Sequence, residues 1–441
     1  MAPTVMTIYG TRPEGIKVAP VIQAIEASPR LTSVTVVTGQ HREMLDQVNE
    51  IFGLSPDRDL DVFAPGQTLN ALMARIFERL DPVLAELQPD AVMVQGDTST
   101  VAAAAIASFY RQIPVIHLEA GLRSGDLHSP FPEEANRRIV SQIAQLHLAP
   151  TPRSRENLLR EGIDPMNVVI TGNTVIDALL HAVDHEVPFT DPRLREVAAS
   201  GRPILLVTTH RRENWGGAME NVGRALRRLA RDHTGMTIVL PAHRNPIVRE
   251  AVLPHIRDLA NVVITEPLPY GEFTRMMALA KIVLTDSGGV QEEAPSLGKP
   301  VLVMRENTER PEAVEAGTVR LIGTDEARIV DEVSHLLDSA SAYAAMANAV
   351  NPYGDGRAAQ RAVAAIEHLL GAGERLPDFV SRPAPTARRI PDPRLSASMS
   401  GESRGPGAPA RTSPASPAES AEAPAPARRG AVAESGETQH E

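Results

Sequence analysis

Five short segments of this chain bring glycine, cations and carboxylates together where apolar runs end. In TDSGGVQEEAPSLGKP, from Thr285 to Pro300, Ser287-Gly288-Gly289 opens a helix directly after a strand. Glycines there let backbone N–H groups approach a phosphate, and the positive end of the helix favours its charge. Ser287 adds a hydroxyl donor. Glu292 and Glu293 fall in the first helical turns, where a carboxylate can accept both hydroxyls of a ribose. The plainer reading is a capped helix after a strand. In GTRPEGIK, Gly10 to Lys17, Pro13 suits the first helical position. Arg12 and Lys17 near free N–H groups would suit a pyrophosphate; the alternative is a helix start with surface cations.

The other three segments carry candidates for proton transfer. In QGDTSTVAAA, Asp97 follows a strand and Thr98 or Ser99 can cap the next helix, so Asp97 is itself either a cap or a catalyst. In HLEAGLRSGDLHSPFPEEANRR, Glu119 ends a buried strand, where a lone carboxylate is costly. Glu133 and Glu134 follow Pro132 at a helix start, where pairing with the helix dipole is the bland alternative. Asp97 and Glu119 end strands successive in the chain, so they can share one cleft. Carboxylates gathered in one place push each other's pKa upward, which suits proton transfer. In TTHRRENW, His210 flanked by Arg211 and Arg212 can donate to a phosphate or protonate a leaving group, or be structural.

The elements that must position these residues read as alternating strands and helices. Strands are expected at Val5–Tyr9, Ser33–Thr38, Ala91–Gln95, Pro114–His117, Leu146–Ala149 and Val168–Thr171. A second series is expected at Ile204–Thr208, Thr237–Leu240, Val262–Thr265, Ile282–Thr285, Val301–Met304 and Val319–Ile322. Runs apolar throughout, separated by amphipathic stretches such as Leu69–Leu87 and Met219–Arg231, imply parallel sheets covered on both faces. The reading is α/β with two doubly wound domains, residues 1–172 and 173–354. Asn173–Pro203 forms the hinge and the site lies in the cleft beyond the strands' carboxyl ends.

Composition narrows the classes. The chain has 441 residues, 42% hydrophobic, with net charge −11, 3% aromatic residues and no cysteine. Disulfides and thiolate chemistry are excluded, and an acidic chain poor in aromatics does not read as a nucleic-acid binder. No apolar stretch is long enough to span a membrane, and no signal-like start is seen, so a cytoplasmic protein is expected. No G-x-G-x-x-G follows the first strand and no P-loop motif or metal-ligand spacing occurs, so no cofactor and no metal are expected. From Leu376 to Glu441 the text turns to Pro, Ala, Ser, Gly, Glu and Arg, and residues 376–441 are expected to be a disordered tail.

Taken together, GTRPEGIKVAP, QHREMLDQV, QGDTST, HLEAGLRSGD, FPEEANR, ITGNTVIDAL, THRREN, LTDSGGVQEEAPSLGKPVLVMRENTERPEA and NPYGDGRA resemble the non-hydrolysing UDP-N-acetylglucosamine 2-epimerases of bacteria. The resemblance runs from about residue 4 to about residue 370 and leaves out the tail. It implies a glycosyltransferase-B-type fold, two Rossmann-like domains facing a cleft. After Asn351-Pro352-Tyr353-Gly354 it implies a helix, about 355–372, that returns to the first domain.

The implied reaction is reversible interconversion of UDP-GlcNAc and UDP-ManNAc, by elimination of UDP to a 2-acetamidoglucal and re-addition. By motif, Asp97, Glu119 and Glu133 resemble the family's catalytic carboxylates and His210 its catalytic histidine. Arg12, Lys17, Phe273, Ser287, Gly288, Gly289, Glu293 and Arg310 resemble its UDP-binding set. Gln40, His41, Arg42 and Glu43 match a loop that contacts a second, activating UDP-GlcNAc in some members, and a homodimer is implied. Three alternatives share these features: a hydrolysing epimerase, a UDP-sugar glycosyltransferase, and a catalytically dead UDP-sugar sensor.

Overall fold

The computed structural model describes residues 2–39, 42–64, 66–209 and 217–381, with backbone alone at Arg42, Glu43 and Met44. Thirteen strands form two parallel sheets among the described residues. The first contains β1 (Thr4–Tyr9), β2 (Thr32–Val37), β3 (Arg58–Asp59), β4 (Ala91–Gln95), β5 (Val115–Leu118), β6 (Leu146–Ala149) and β7 (Val168–Ile170), in the order β3-β2-β1-β4-β5-β6-β7. The second contains β8 (Ile204–Thr208), β9 (Thr237–Pro241), β10 (Val262–Thr265), β11 (Ile282–Thr285), β12 (Val301–Val303) and β13 (Val319–Leu321), in the order β10-β9-β8-β11-β12-β13. In each sheet the strand order reverses once, at β1/β4 and at β8/β11. A crevice opens beyond the strand ends at such a reversal, because successive crossover helices go to opposite faces.

The central strands are Val, Ile, Leu and Met runs buried along their whole length, as helix cover on both faces requires. The strand missed by pattern is β3. Its two residues are polar and exposed, and they pair with Val36 and Val37 at the sheet edge. No apolar alternation marks it, so no periodicity could find it.

The stretch expected to be a hinge is a packed element. After β7 the chain turns at Gly172 into the helix Thr174–Asp184, followed by Pro192–Ala199. Val175, Ile176, Ala178, Leu179 and Ala182 of the first helix are buried in one apolar cluster with residues from both sides. Ile16, Ala19, Val48 and Phe52 come from the first side, and Ile204, Leu206, Tyr270 and Met276 from the second. Phe52 stacks on His181 with ring centroids 5.2 Å apart.

The chain crosses back beside its first crossing. Gly172 has φ +86°, and a Cβ there would come within 3.5 Å of Gly354 and of the Tyr353 carbonyl, so the two crossings pack closely. The return helix, Ala358–Leu369, then buries Ala362, Val363 and Ile366 against Val5, Val18 and Ile22 of the first side. Asp177 of the hinge helix caps its start, accepting from the N–H groups of Ala358 and Ala359 at 3.2 and 2.9 Å.

The tail begins later than composition implies. Leu376–Ser381 are placed, and Phe379 is buried. Its N–H donates to the Ile170 carbonyl at 2.7 Å, and Asp378 accepts from the Ile170 N–H at 3.3 Å. Arg361 lies over the Phe379 ring, 5.4 Å from its centroid. The segment thus covers the open edge at β7. A Pro-rich stretch needs one aromatic and two backbone bonds to dock, and window composition does not register a single Phe. Residues 382–441 lie outside the described residues.

This contact sets a test. Phe379→Ala is expected to cost about 3 kcal/mol, as removal of a buried aromatic does, measured by urea unfolding of the full chain. Ending the chain after Ser381 keeps these contacts and is expected to leave the unfolding midpoint unchanged.

Candidate active site

At the first reversal, the loop after β1 meets the loop after β4. Gly10 leaves no room for a side chain, since a Cβ would meet the Thr38 hydroxyl at 1.9 Å. Glu14, in the first turn of the helix Arg12–Glu26, reaches back to the N–H groups of Gly10 and Thr11 at 2.6 and 3.0 Å. Its other oxygen accepts from the Thr98 hydroxyl. The N–H groups expected to be free for a pyrophosphate are therefore taken by Glu14. The sequence carries the signal for this in Thr11-Arg-Pro-Glu14, a Thr followed by Glu three residues on. Burial pushes the Glu14 carboxyl up to about 7, against its hydrogen bonds.

Thr98 caps the helix Ser99–Tyr110, which leaves the Asp97 carboxylate for other work. Arg137 holds it at 2.5 Å, and Asn136 donates to the Asp97 carbonyl at 2.8 Å. Both residues belong to the helix Glu133–Ile143, and Glu133 lies one turn before Arg137 on the same face. Among the described residues, one buried Glu133 carboxylate oxygen has no hydrogen-bond partner. Its neighbour Glu134 is structural: it is fully buried and accepts from the Ser124 N–H, Arg137 and Arg138.

Glu119 ends β5 in the left-handed region, φ +64°. A non-glycine residue there is strained by about 1–3 kcal/mol and persists only when its surroundings hold it. Four bonds do so. Lys17 donates to its two oxygens at 2.5 and 2.7 Å, Asn173 donates to Oε1 at 3.1 Å, and Gln95 donates to Oε2. Burial raises its pKa, but Lys17 in direct contact outweighs this and holds the carboxyl below its usual range. That corrects the expectation that clustering drives every cleft carboxyl upward. The nearest charge to Glu119 is a cation.

At the second reversal, Ser287 precedes the short helix Gly288–Glu293 without a side-chain capping bond among the described residues, and its N–H donates to the Thr285 hydroxyl at 2.9 Å. Glu292 and Glu293 are buried and part ways. Glu292 accepts from Arg310 Nε at 2.5 Å and from Asn173 at 2.9 Å. Burial and the neighbouring Glu292 push the Glu293 carboxyl up to about 8, with Lys17 and Arg12 acting against them. Arg12, from the first side, is thus within electrostatic reach of Glu293 and of buried Tyr270 on the second. Phe273, in the helix Tyr270–Leu279, is half-buried against the shared apolar cluster.

The structure therefore brings Lys17, Glu119, Glu292 and Arg310 into one contiguous chain of contacts, with Arg12 and Glu293 nearby. Asp97 is tied to the adjoining helix through Arg137, one turn along from Glu133. Sequence reasoning gave no role to Asn173, Glu14 or Gln95, and assigned Glu292 only alongside Glu293. His210 through Gly216, Gln40 and His41 lie outside the described residues, as do the side chains of Arg42 and Glu43.

Two doubly wound sheets whose charged strand-end loops meet at their reversals define a glycosyltransferase-B-type α/β enzyme. The glycosyltransferase SnogD from Streptomyces nogalater shares this fold, with a TM-score of 0.55 at 18% identity. A family model described as UDP-N-acetylglucosamine 2-epimerase matches residues 23–367. The UDP-N-acetylglucosamine 2-epimerase of Escherichia coli (strain K12) is 51% identical over 370 residues, covering 82% of this chain and 98% of the relative. The UDP-GlcNAc 2-epimerase from Neisseria meningitidis, solved bound to UDP-GlcNAc, matches with a TM-score of 0.74 at 44% identity, covering 83% of this chain and 100% of that one. The Methanocaldococcus jannaschii UDP-GlcNAc 2-epimerase, solved in complex with UDP-GlcNAc and UDP, matches with a TM-score of 0.67 at 32% identity, covering 84% and 100%. This chain belongs to the UDP-N-acetylglucosamine 2-epimerase family. Among the described residues no helix is long and apolar enough to cross a membrane.

The Glu293 environment predicts a pH signature. A carboxyl whose folded pKa is raised from 4.5 to about 8 favours the folded state below pH 4.5 and loses that contribution as pH climbs toward 8. Glu293→Gln removes the loss. The stability of this variant relative to the wild type is expected to grow between about pH 5 and about pH 8.5, by on the order of 4 kcal/mol at most. Urea unfolding at the two pH values measures it, and a difference that does not change with pH would contradict the assignment.

Proposed function

We propose that this enzyme interconverts UDP-GlcNAc and UDP-ManNAc by elimination and re-addition of UDP. The observation that carries the reading is the junction at which Lys17 holds Glu119 and Arg310 holds Glu292, with Arg12 in reach of Glu293. The family and the ligand-bound relatives supply the substrate class. In the forward direction a carboxylate takes the C2 proton and the C–H electron pair becomes the C1–C2 double bond. The C1–O bond breaks with its electrons going to UDP. Protonation of C2 on the other face and attack of the UDP oxygen on C1 give the epimer. Atoms and electrons balance without an external oxidant.

The division of labour follows from environment. Lys17 and Arg310 offset the charge of the departing diphosphate, and Arg12 lies beside the nucleoside side of the site at Glu293. At neutral pH Glu293 is a neutral carboxyl able both to donate to and to accept from ribose hydroxyls. Ser287, Gly288 and Gly289 supply the close backbone approach, and Phe273 an apolar wall for uracil. Asp97, Glu133 and Glu119 are the proton carriers, with His210 assisting the leaving group. On this reading the first half is residues 1–172 with the return helix and the second is 173–354.

A second UDP-GlcNAc bound at Gln40–Glu43 would act at the start of the helix Arg42–Phe52, whose Phe52 stacks on the hinge helix. A homodimer fits the apolar groove of Phe109, Tyr110, Ile113 and Ile143, where Tyr110 is 76% exposed. Tyr110→Glu is expected to convert the dimer to monomer in analytical ultracentrifugation.

Proton NMR of the enzyme with UDP-GlcNAc in D₂O tests the reaction. UDP-ManNAc carrying deuterium at C2 is the expected product. Free ManNAc and UDP would indicate hydrolysis and sink the proposal. Asp97→Asn and Glu119→Gln are expected to lower kcat by ~10²–10⁴-fold, the usual contribution of a positioned acid or base.

A further inference from the structure

Asn173 stands where the chain first leaves the first sheet, and it is 3% exposed. Every polar atom of it is engaged. Its N–H donates to the Tyr353 carbonyl of the returning chain at 2.6 Å. Its Oδ1 accepts from the Val175 N–H at 3.1 Å, capping the hinge helix. Because Oδ1 must accept there, Nδ2 is fixed as the donor toward the site. That nitrogen donates to Glu119 Oε1 at 3.1 Å and to Glu292 Oε2 at 2.9 Å. One carboxylate belongs to the first sheet and the other to the second. Beyond them lie Lys17 on Glu119 and Arg310 on Glu292, at 2.5 Å each.

The two cations that the proposed function assigns to the diphosphate are thus held by protein carboxylates. A diphosphate arriving at Arg310 must share or replace Glu292, and the Asn173 amide joins Glu292 to the proton carrier Glu119. A capping residue alone would need Oδ1 only; Ser, Thr or Asp would serve. Two N–H groups aimed at two carboxylates require the amide.

We infer that Asn173 is a positioning residue for the epimerisation: its side-chain amide fixes the placement of Glu119 and links it, through Glu292, to occupancy of the diphosphate site at Arg310. The inference rests on the roles given to Glu119 and Arg310 above. Among the described residues, the charged and titratable groups around Glu119 are Lys17 from the helix Arg12–Glu26, Arg310 and Glu292 from the second side, and His117 on its own strand.

The test is Asn173→Asp in the full chain. Asp keeps the cap to Val175 and the backbone bond to Tyr353, but cannot donate, and it adds a carboxylate beside Glu119. The thermal midpoint is expected to fall, because the new carboxylate is buried beside Glu119 and Glu292, so kcat is compared at a temperature where both proteins are fully folded, and there it is expected to fall about 10²-fold, the scale of a misplaced reacting group. KM for UDP-GlcNAc is expected to change far less, and the acidic limb of the kcat profile to move to higher pH. Asn173→Ser keeps the cap and one donor and is expected to recover part of kcat. A wild-type kcat and pH limb in Asn173→Asp would overturn the inference. Equal losses of kcat in both variants would also overturn it, by assigning Asn173 to folding alone. A wild-type enzyme inert toward UDP-GlcNAc would overturn the function reading beneath it, and that is seen before any variant is made.

Discussion

Charge neutrality between the two sheets is the constraint on which the site depends. Lys17, Glu119, Glu292 and Arg310 sit in sequence through the buried junction, cation, anion, anion, cation, with the Asn173 amide between the anions. Side chains of this kind are desolvated at considerable cost, and an unmatched charge among them would be intolerable. Each half supplies one balanced pair, so neither depends on the other for neutrality. What the amide adds is the tie between the pairs. The arrangement explains why the loops after β5 and β11 converge at one hinge residue.

Buried ion pairs seldom exceed well-packed apolar residues in stability. The apolar cluster around the hinge helix already fastens the two halves together, with Ile16, Phe52, Leu206 and Tyr270 meeting on Val175, Ile176 and Leu179. Holding the halves together therefore does not account for the charges. The strain at Glu119 points the same way. A Glu at φ +64° held by four bonds gains nothing for folding that a glycine would not gain more easily. Both features are accounted for when the charges exist to meet a charged ligand and Glu119 to face it.

Much of this was legible in the residues. Apolar runs and their spacing reveal the parallel sheets, and the strand-end rule then puts Arg12, Asp97, Glu119 and Ser287 at the two reversals. The Glu14 back-reach was legible too, as a Thr-x-x-Glu signal, although it removes the free N–H groups that the Gly-Thr-Arg-Pro turn seemed to offer. The illegible parts are those set by long-range contact. Asn173 meets Glu119 and Glu292 across 54 and 119 residues of sequence, and nothing local distinguishes it from an ordinary helix cap. Phe379 docks on β7 from within a Pro-rich stretch, and β3 exists because Val36 and Val37 have backbone groups left to pair.

Opposed shifts among neighbouring carboxyls give the site its chemical range. Burial acts on Glu14, Glu119 and Glu293 alike, and it prevails where no cation touches, lifting Glu14 to about 7 and Glu293 to about 8. It is overcome at Glu119, where Lys17 is in contact. A cleft holding an ionised Glu119 and a Glu293 carboxyl lifted to about 8 offers a proton acceptor and a hydrogen-bond donor at one pH. On the proposed reading, the incoming diphosphate draws Lys17 toward itself and weakens the contact that keeps Glu119 acidic. Binding would then raise the basicity of Glu119 at the moment a C2 proton comes within reach. The same exchange reverses when UDP re-adds and leaves, so one set of contacts serves both directions of a reversible reaction.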